Sequence, residues 1–139
     1  MVEPPNSGNT PAPSAGPGLT VLIVDDDPDM RAYVRHCLRD LEDQIAQTHE
    51  AADGLVALTL ARSIRPDLVI SDIVMPGLDG YELCKALKAL PLDSEPLVLL
   101  ISGETDKLRI RKAGADAFLG KPFNAEKMRN ILKQLLQQT

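Results

Sequence analysis

The chain has 139 residues and a formal net charge of −5, with 44% hydrophobic and 25% charged residues. That length suits one domain with a proper core, and the composition is that of a soluble globular protein. The acidic balance argues against nucleic acid as a direct partner, because phosphate binding needs a basic footprint. No stretch approaches the roughly 20 apolar residues of a membrane span, and the N-terminus lacks a secretion-signal pattern, so we expect a cytoplasmic protein without membrane contact.

The first 18 residues are rich in proline and glycine, and Val2 is their only sizeable apolar side chain after Met1. Such a segment buries too little apolar surface to offset the conformational entropy lost on ordering. We therefore predict a disordered arm over residues 1–18 and a single folded domain over residues 19–139.

From residue 19 onward, short apolar runs alternate with amphipathic stretches. Alternation with short connections predicts right-handed crossovers and a doubly wound α/β fold with a five-stranded parallel sheet. Polar residues interrupt the second run, which favours an edge position for that strand. The fourth helix is doubtful, because only residues 104–113 lie between the last two strands. The predicted strands cover residues 21–24, 45–50, 68–71, 97–101 and 115–119.

The helices are predicted from apolar residues at three- and four-residue spacing. The first such stripe runs from Met30 to Leu41. Asp27 suits the start of this helix as its N-cap, with Pro28 at the first helical position. Asn124 is suited to cap the last helix in the same way.

Polar side chains follow four of the predicted strands at their carboxyl ends. Asp25 and Asp26 follow the first strand, Asp72 the third, Ser102 the fourth and Lys121 the fifth. Taken singly, Asp72 is as well explained by a turn cap. Lys121 could be a solvated loop lysine, but Pro122 directly after it indicates a fixed loop geometry and favours a functional role. Since parallel strands all end at one edge, we expect these groups to converge where open α/β sheets bind their ligands.

The chemistry of these groups suggests phosphoryl transfer. Clustered carboxylates repel one another unless a cation lies among them, and oxygen ligands suit Mg²⁺. The metal and Lys121 would neutralise a phosphate, while Ser102 would donate a hydrogen bond to a phosphoryl oxygen. Asp72 is then left as the nucleophile, because carboxylates form aspartyl-phosphate intermediates.

With these residues assembled, the chain resembles the receiver domain of two-component response regulators. The resemblance implies a flavodoxin-like sheet with strand order 2-1-3-4-5. It also implies a signalling phosphoacceptor rather than an enzyme, with the phosphoryl group coming from a histidine kinase or a phosphotransfer protein. Four segments carry the resemblance: residues 21–28 (VLIVDDDP), 71–80 (SDIVMPGLDG), 113–118 (AGADAF) and 121–123 (KPF).

Matching these motifs residue by residue implies a role for each acid. Asp72 would be the phosphoacceptor. Asp25 and Asp26 would match the acidic pair that holds Mg²⁺, together with Asp72 and the backbone carbonyl of Val74. No other cofactor is implied.

The resemblance also implies a lysine and a two-residue switch. Lys121 would contact the phosphoryl group, Ser102 would turn its hydroxyl toward it, and Phe118 would be the aromatic switch. Serine and phenylalanine stand where threonine and tyrosine are common, which preserves the hydroxyl and the ring. Lys121 follows Ser102 by 19 positions, about three fewer than is usual in the family, which is nearly one helical turn. The shortened segment contributes to the family's usual signalling face, so the output route is left open.

Two alternative functions remain. A Mg²⁺-dependent phosphohydrolase similar to haloacid dehalogenases would also use a strand-end aspartate, but its second aspartate would stand at Val74. A receiver-like interaction module that is never phosphorylated is the other. The last predicted helix runs to the end of the sequence, so we expect a stand-alone receiver that switches binding to an unidentified protein or shuttles the phosphoryl group.

Overall fold

The structure is a computed structural model that describes residues 18–91, 93, 95–103 and 106–137. The predicted arm therefore lies outside the described residues, apart from Gly18. In the described part, a 3-10 helix at Leu38–Gln44 follows the first α-helix. The other elements are β1 Leu19–Val24, α1 Pro28–Cys37, β2 Ile45–Ala51, α2 Gly54–Ile64, β3 Leu68–Asp72, α3 Gly80–Lys88, β4 Leu97–Ser102, α4 Lys107–Ala113, β5 Ala117–Gly120 and α5 Ala125–Gln137.

The strands form one parallel sheet in the order β2-β1-β3-β4-β5. This order confirms the predicted doubly wound fold and the edge position of β2. Successive strands are added on one side of β1 up to β2 and on its other side from β3 onward, so the strand order reverses between β1 and β3. The carboxyl ends of these two parallel strands lie next to each other. That junction is the place where doubly wound sheets bind ligands.

The core lies on both faces of the sheet, because strand side chains alternate between faces. In β1, Val21 and Ile23 pack on one face, while Leu22 and Val24 pack on the other. Met128 and Leu132 of α5 join the first face, which α1 also covers. Residues of α2, α3 and α4 cover the second face, among them Ala57, Ala61, Leu83, Leu87, Ile110 and Ala113.

Both predicted helix caps are confirmed. The Asp27 carboxylate accepts a hydrogen bond from Asp29 N at 2.9 Å, and Pro28 occupies the first turn of α1. The Asn124 side chain accepts from Lys127 N at 2.8 Å where α5 begins. Each cap satisfies a backbone N–H that has no partner inside its helix.

The first predicted helical stripe is divided between two elements. The α-helix ends at Cys37, and Leu38 and Leu41 lie in the tighter 3-10 turns that follow. Both leucines are nevertheless buried in the same core cluster as Val34. The apolar spacing therefore identified the buried residues correctly but did not distinguish the two helix types.

The region before β5 also differs from the prediction. β5 begins at Ala117, two positions after the predicted start at residue 115. Asp116 accounts for the difference, because its carboxylate accepts hydrogen bonds from Val98 N at 2.8 Å and Lys88 Nζ at 2.6 Å. The doubtful fourth helix is present as the seven-residue α4, and Gly114 ends it at φ 87°.

The longest helix of the described part is α5, with 13 residues. In that part of the chain, none of the helices has the length and the apolar character needed to cross a membrane.

Candidate functional site

Three carboxylates meet at the carboxyl edge of the sheet. Asp25 and Asp26 directly follow β1, and Asp72 is the last residue of β3. One carboxylate oxygen from each residue lies within 4.8 Å of those of the other two. The pairing of β1 with β3 explains the cluster, since it places the two strand ends side by side.

Burial makes this cluster electrostatically costly. Asp25 is 4% exposed and Asp72 is 8% exposed, while Asp26 is open to solvent. Burial raises the pKa of Asp25 to about 6, and repulsion by Asp72 adds to it, although Asp27 N donates a hydrogen bond to Asp25 Oδ1 at 2.9 Å. A cation among the three carboxylates would relieve this repulsion. The donor set of carboxylate oxygens fits a hard divalent cation, so the cluster could hold a metal ion.

Lys121 reaches the same edge from the other side of β3. Its Nζ lies 3.3 Å from Asp72 Oδ1, and its backbone N–H donates to Ser102 O at 2.9 Å. The same Asp72 oxygen accepts a hydrogen bond from Ile73 N at 2.9 Å. The Lys121–Pro122 peptide bond in this loop is cis. Asp72 therefore has the carboxylates of Asp25 and Asp26 on one side and the Lys121 ammonium on the other.

Ser102 and Phe118 lie on neighbouring strands. Ser102 ends β4 and is 2% exposed. Leu100 pairs with Phe118, two positions before the pairing of Ser102 with Gly120. Since side chains two apart share a face, Ser102 lies on the face of Leu100, against which the half-buried Phe118 packs.

The loop that leaves Asp72 is tightly packed. A Cβ atom at Gly80 would lie 2.7 Å from Ile73 Cα, and Gly80 N donates to Ile73 O at 2.8 Å. Glycine therefore allows α3 to begin against the backbone next to Asp72. Val74 in the same loop is 62% exposed.

Comparison with known families agrees with this arrangement. The family model for the response regulator receiver domain matches residues 21–133. That range contains the acidic cluster, Ser102, Phe118 and Lys121. The chain belongs to the response regulator receiver domain family.

Curated relatives of this receiver domain include regulators and a kinase. It is 36% identical over 123 residues to response regulator MprA of Mycobacterium sp. strain KMS, which covers 87% of this chain and 52% of MprA. It is 35% identical over 121 residues to histidine kinase P4 of Formosa agariphila, which covers 85% of this chain and 8% of that kinase. The chain thus spans about half the length of the first relative and far less of the second.

Solved structures confirm the predicted receiver fold. The chemotaxis response regulator CheY4 of Vibrio cholerae superposes with a TM-score of 0.76 at 34% identity, over 85% of this chain and 98% of CheY4. The receiver domain of a signal transduction histidine kinase from Syntrophus aciditrophicus gives a TM-score of 0.75 at 34% identity, over 88% and 92% of the two chains.

Sequence reasoning missed residues of the receiver domain that support the backbone of the acidic residues. Arg31 Nη1 donates to Asp25 O at 2.6 Å, and its Nε donates to Glu50 Oε1 at 2.9 Å. Burial opposes ionisation of Glu50, but hydrogen bonds from Arg35 and Arg31 outweigh it and lower its pKa. The four-residue spacing of the arginines on α1 was the available signal, but their partner on β2 emerges only from the strand pairing. Tyr33, between them, was missed as well.

Proposed function

We propose that this receiver domain accepts a phosphoryl group on Asp72 from the phosphohistidine of a histidine kinase or a phosphotransfer protein. The observation that carries the proposal is the placement of Asp72, which belongs to the acidic cluster and has Lys121 Nζ at 3.3 Å. A carboxylate with a cation site on one side and an ammonium on the other is suited to receive a dianionic group. Relatives named as response regulators and as a histidine kinase support the same role.

In the proposed reaction, an Asp72 carboxylate oxygen attacks the phosphorus atom. A P–O bond to Asp72 forms while the P–N bond to the donor histidine breaks, and the electron pair of that bond returns to the imidazole. The Lys121 ammonium stabilises the negative charge on the phosphoryl oxygens, because it is already placed beside the acceptor. Ile73 N orients the acceptor through its hydrogen bond to Asp72 Oδ1.

We propose Mg²⁺ as the cation of the acidic cluster. Asp25, Asp26, Asp72 and the backbone carbonyl of Val74 would hold it. When bound, Mg²⁺ neutralises charge on the phosphoryl group. The raised pKa of Asp25 is consistent with this assignment, because burial, with repulsion by Asp72 added to it, disfavours the charged carboxylate that a nearby cation would stabilise.

We propose Ser102 and Phe118 as the switch that responds to phosphorylation. The Ser102 hydroxyl would hydrogen-bond to a phosphoryl oxygen on Asp72, and the space next to it would admit the ring of Phe118. Their shared sheet face supports the coupling, since a movement of one side chain changes the packing of the other. Ser102→Ala should therefore reduce the change in the NMR signals of the Phe118 ring on phosphorylation.

The proposal is tested with acetyl phosphate and Mg²⁺. Intact-mass measurement should show one added phosphoryl group on the wild-type chain and none on Asp72→Asn. Asp79→Asn is the matched control, because Asp79 caps α3 and asparagine caps helices equally well. The control should be labelled like the wild type. Equal labelling of Asp72→Asn and the wild type would contradict the assignment, and absence of labelling in all three would favour a module that is never phosphorylated.

The phosphohydrolase alternative gains no support. Its second aspartate would stand at Val74, which is an exposed valine. We therefore propose that the chain turns over no external phosphate ester. A cytoplasmic location and the absence of direct nucleic-acid contact stay predictions from the sequence.

A further inference from the structure

The loop that carries Lys121 is anchored at two points. On one side, Lys121 N donates to Ser102 O at 2.9 Å. Two residues further on, the backbone oxygen of Phe123 accepts a hydrogen bond of 2.8 Å from the Tyr33 hydroxyl. Tyr33 lies on α1, 90 positions away in the sequence. The backbone before Pro122 is thus hydrogen-bonded to β4, and the backbone after it is hydrogen-bonded to α1.

The Tyr33 side chain buries little apolar surface in the core. It is 38% exposed, whereas its neighbour Phe123 is 8% exposed and belongs to the core cluster beneath α1 and α5. The two rings pack with centroids 5.4 Å apart and planes inclined by 46°. The specific contribution of Tyr33 is therefore its hydroxyl. Partial burial and the Cys37 thiol raise the pKa of that hydroxyl above its usual value, so it stays protonated at neutral pH and can donate.

Lysine needs such support to act at a fixed point. Its side chain is a flexible four-carbon stem, so the position of the ammonium depends on how firmly the backbone is held. A shift of the loop would change the 3.3 Å separation between Lys121 Nζ and Asp72 Oδ1 directly. Small displacements of a charged group from the reacting atoms cost much of its effect.

We propose that Tyr33 is a positioning residue for Lys121, acting through the carbonyl of Phe123. The inference rests on the proposed function of Lys121 at the phosphoryl group. It gives α1 two roles at the site, because Arg31 on the same helix holds the carbonyl of Asp25. One helix then fixes both the acidic residues and the lysine relative to Asp72.

Tyr33→Phe tests this role, since it removes one oxygen and keeps the ring. The readout is the affinity for beryllofluoride, a mimic of the phosphoryl group, measured in saturating Mg²⁺. Loss of a hydrogen bond of ordinary strength should weaken this affinity by roughly 3- to 10-fold. Mg²⁺ affinity should stay within error, because Lys121 is not among the proposed metal ligands. His36→Ala, an exposed change on the same helix, is the matched control and should alter neither affinity.

A double-mutant cycle separates positioning from a general structural role. Tyr33→Phe should have no further effect on beryllofluoride affinity in a Lys121→Ala background, because the group it positions is gone. Equal losses in both backgrounds would overturn the proposal. A parallel loss of Mg²⁺ affinity would also overturn it, since the variant would then have loosened the whole site.

A second measurement does not depend on the proposed function. The NMR signals of the Lys121 side chain should shift in Tyr33→Phe even without beryllofluoride, because the ammonium leaves its place beside Asp72. Unchanged signals would overturn the inference. If the wild-type chain bound no beryllofluoride, the proposed function would fail, and these signals would still decide the role of Tyr33.

Discussion

The β1–α1 loop and the β5–α5 loop reach Asp72 from opposite sides and are held in different ways. Asp25 follows a strand that is paired on both sides, and it is fixed mainly by its surroundings in the sheet, with its backbone N–H donating to Ala51 O at 3.1 Å. Lys121 follows a four-residue edge strand, and its loop depends on bonds to Ser102 and Tyr33.

This difference indicates which property of each loop controls its part in phosphoryl transfer. The acids follow strands in the middle of the sheet but repel one another, so we expect a bound cation to have the largest effect on that side. The lysine has a favourable partner in Asp72, so the precision of its loop should matter more. The following predictions test this contrast, beginning with the largest expected effect.

Removing the lysine should slow phosphorylation strongly while sparing metal binding. Lys121→Ala takes away a preorganised positive charge, and the labelling rate with acetyl phosphate should fall on the order of 10²-fold. Mg²⁺ affinity, measured by titration calorimetry, should change far less. Lys127→Ala, an exposed change in the first turn of α5, is the control and should be labelled at the wild-type rate. A matching loss of Mg²⁺ affinity in Lys121→Ala would remove the contrast between the two loops.

Neutralising the buried acid should stabilise the metal-free protein. Asp25→Asn keeps an oxygen for the Asp27 N–H and removes a charge whose pKa is raised to about 6. The free energy of unfolding in urea without Mg²⁺ should rise by about 1–3 kcal/mol at neutral pH. The stabilisation that Mg²⁺ gives the wild type should be lost. Asp26→Asn should raise the metal-free stability less, because Asp26 is exposed; an equal rise would contradict the role of burial.

Removing the cap beyond the lysine loop should destabilise the chain moderately. Asn124→Ala leaves Lys127 N without the side-chain acceptor that it has at 2.8 Å. Thermal or urea unfolding should show a loss of about 1 kcal/mol. Asn124→Asp should restore most of it, because aspartate caps as well and also interacts favourably with the helix dipole. A loss that persists in Asn124→Asp would argue against capping as the cause.

Removing the ion pairs of Glu50 with Arg31 and Arg35 should give the smallest change in the free energy of unfolding, and that change should depend on pH. Glu50 is about a third exposed, so Glu50→Gln should cost about 0.5–1 kcal/mol at neutral pH. Its pKa is lowered from 4.5 in the folded state, so its contribution is present above that value and is lost as the pH falls through the folded pKa. The difference in the free energy of unfolding between the wild type and Glu50→Gln should disappear in acid. A gap that stays constant down to pH 3 would contradict the ion-pair explanation.

Much of the fold and of the candidate site could be predicted from local patterns. Asp72 stood out because an apolar run ended at it, and the caps Asp27 and Asn124 were evident from residue type and position. Arg31 and Tyr33 could not be predicted, since their partners lie on other elements and neither forms a motif with its neighbours. The start of β5 was misplaced for the same reason, because Asp116 is held by Val98 and Lys88 from outside its own segment.

The sequence by itself determined the order of strands and helices, the convergence of the acids with Lys121 and the family. These features follow from periodicity, from turn chemistry and from the rule that parallel strands end at one edge. Only the tertiary structure decided how the two loops are held around Asp72 and that the short segment after β4 still contains a helix. Such contacts join residues far apart in the chain, and their existence depends on sheet pairing and helix packing that no local pattern encodes.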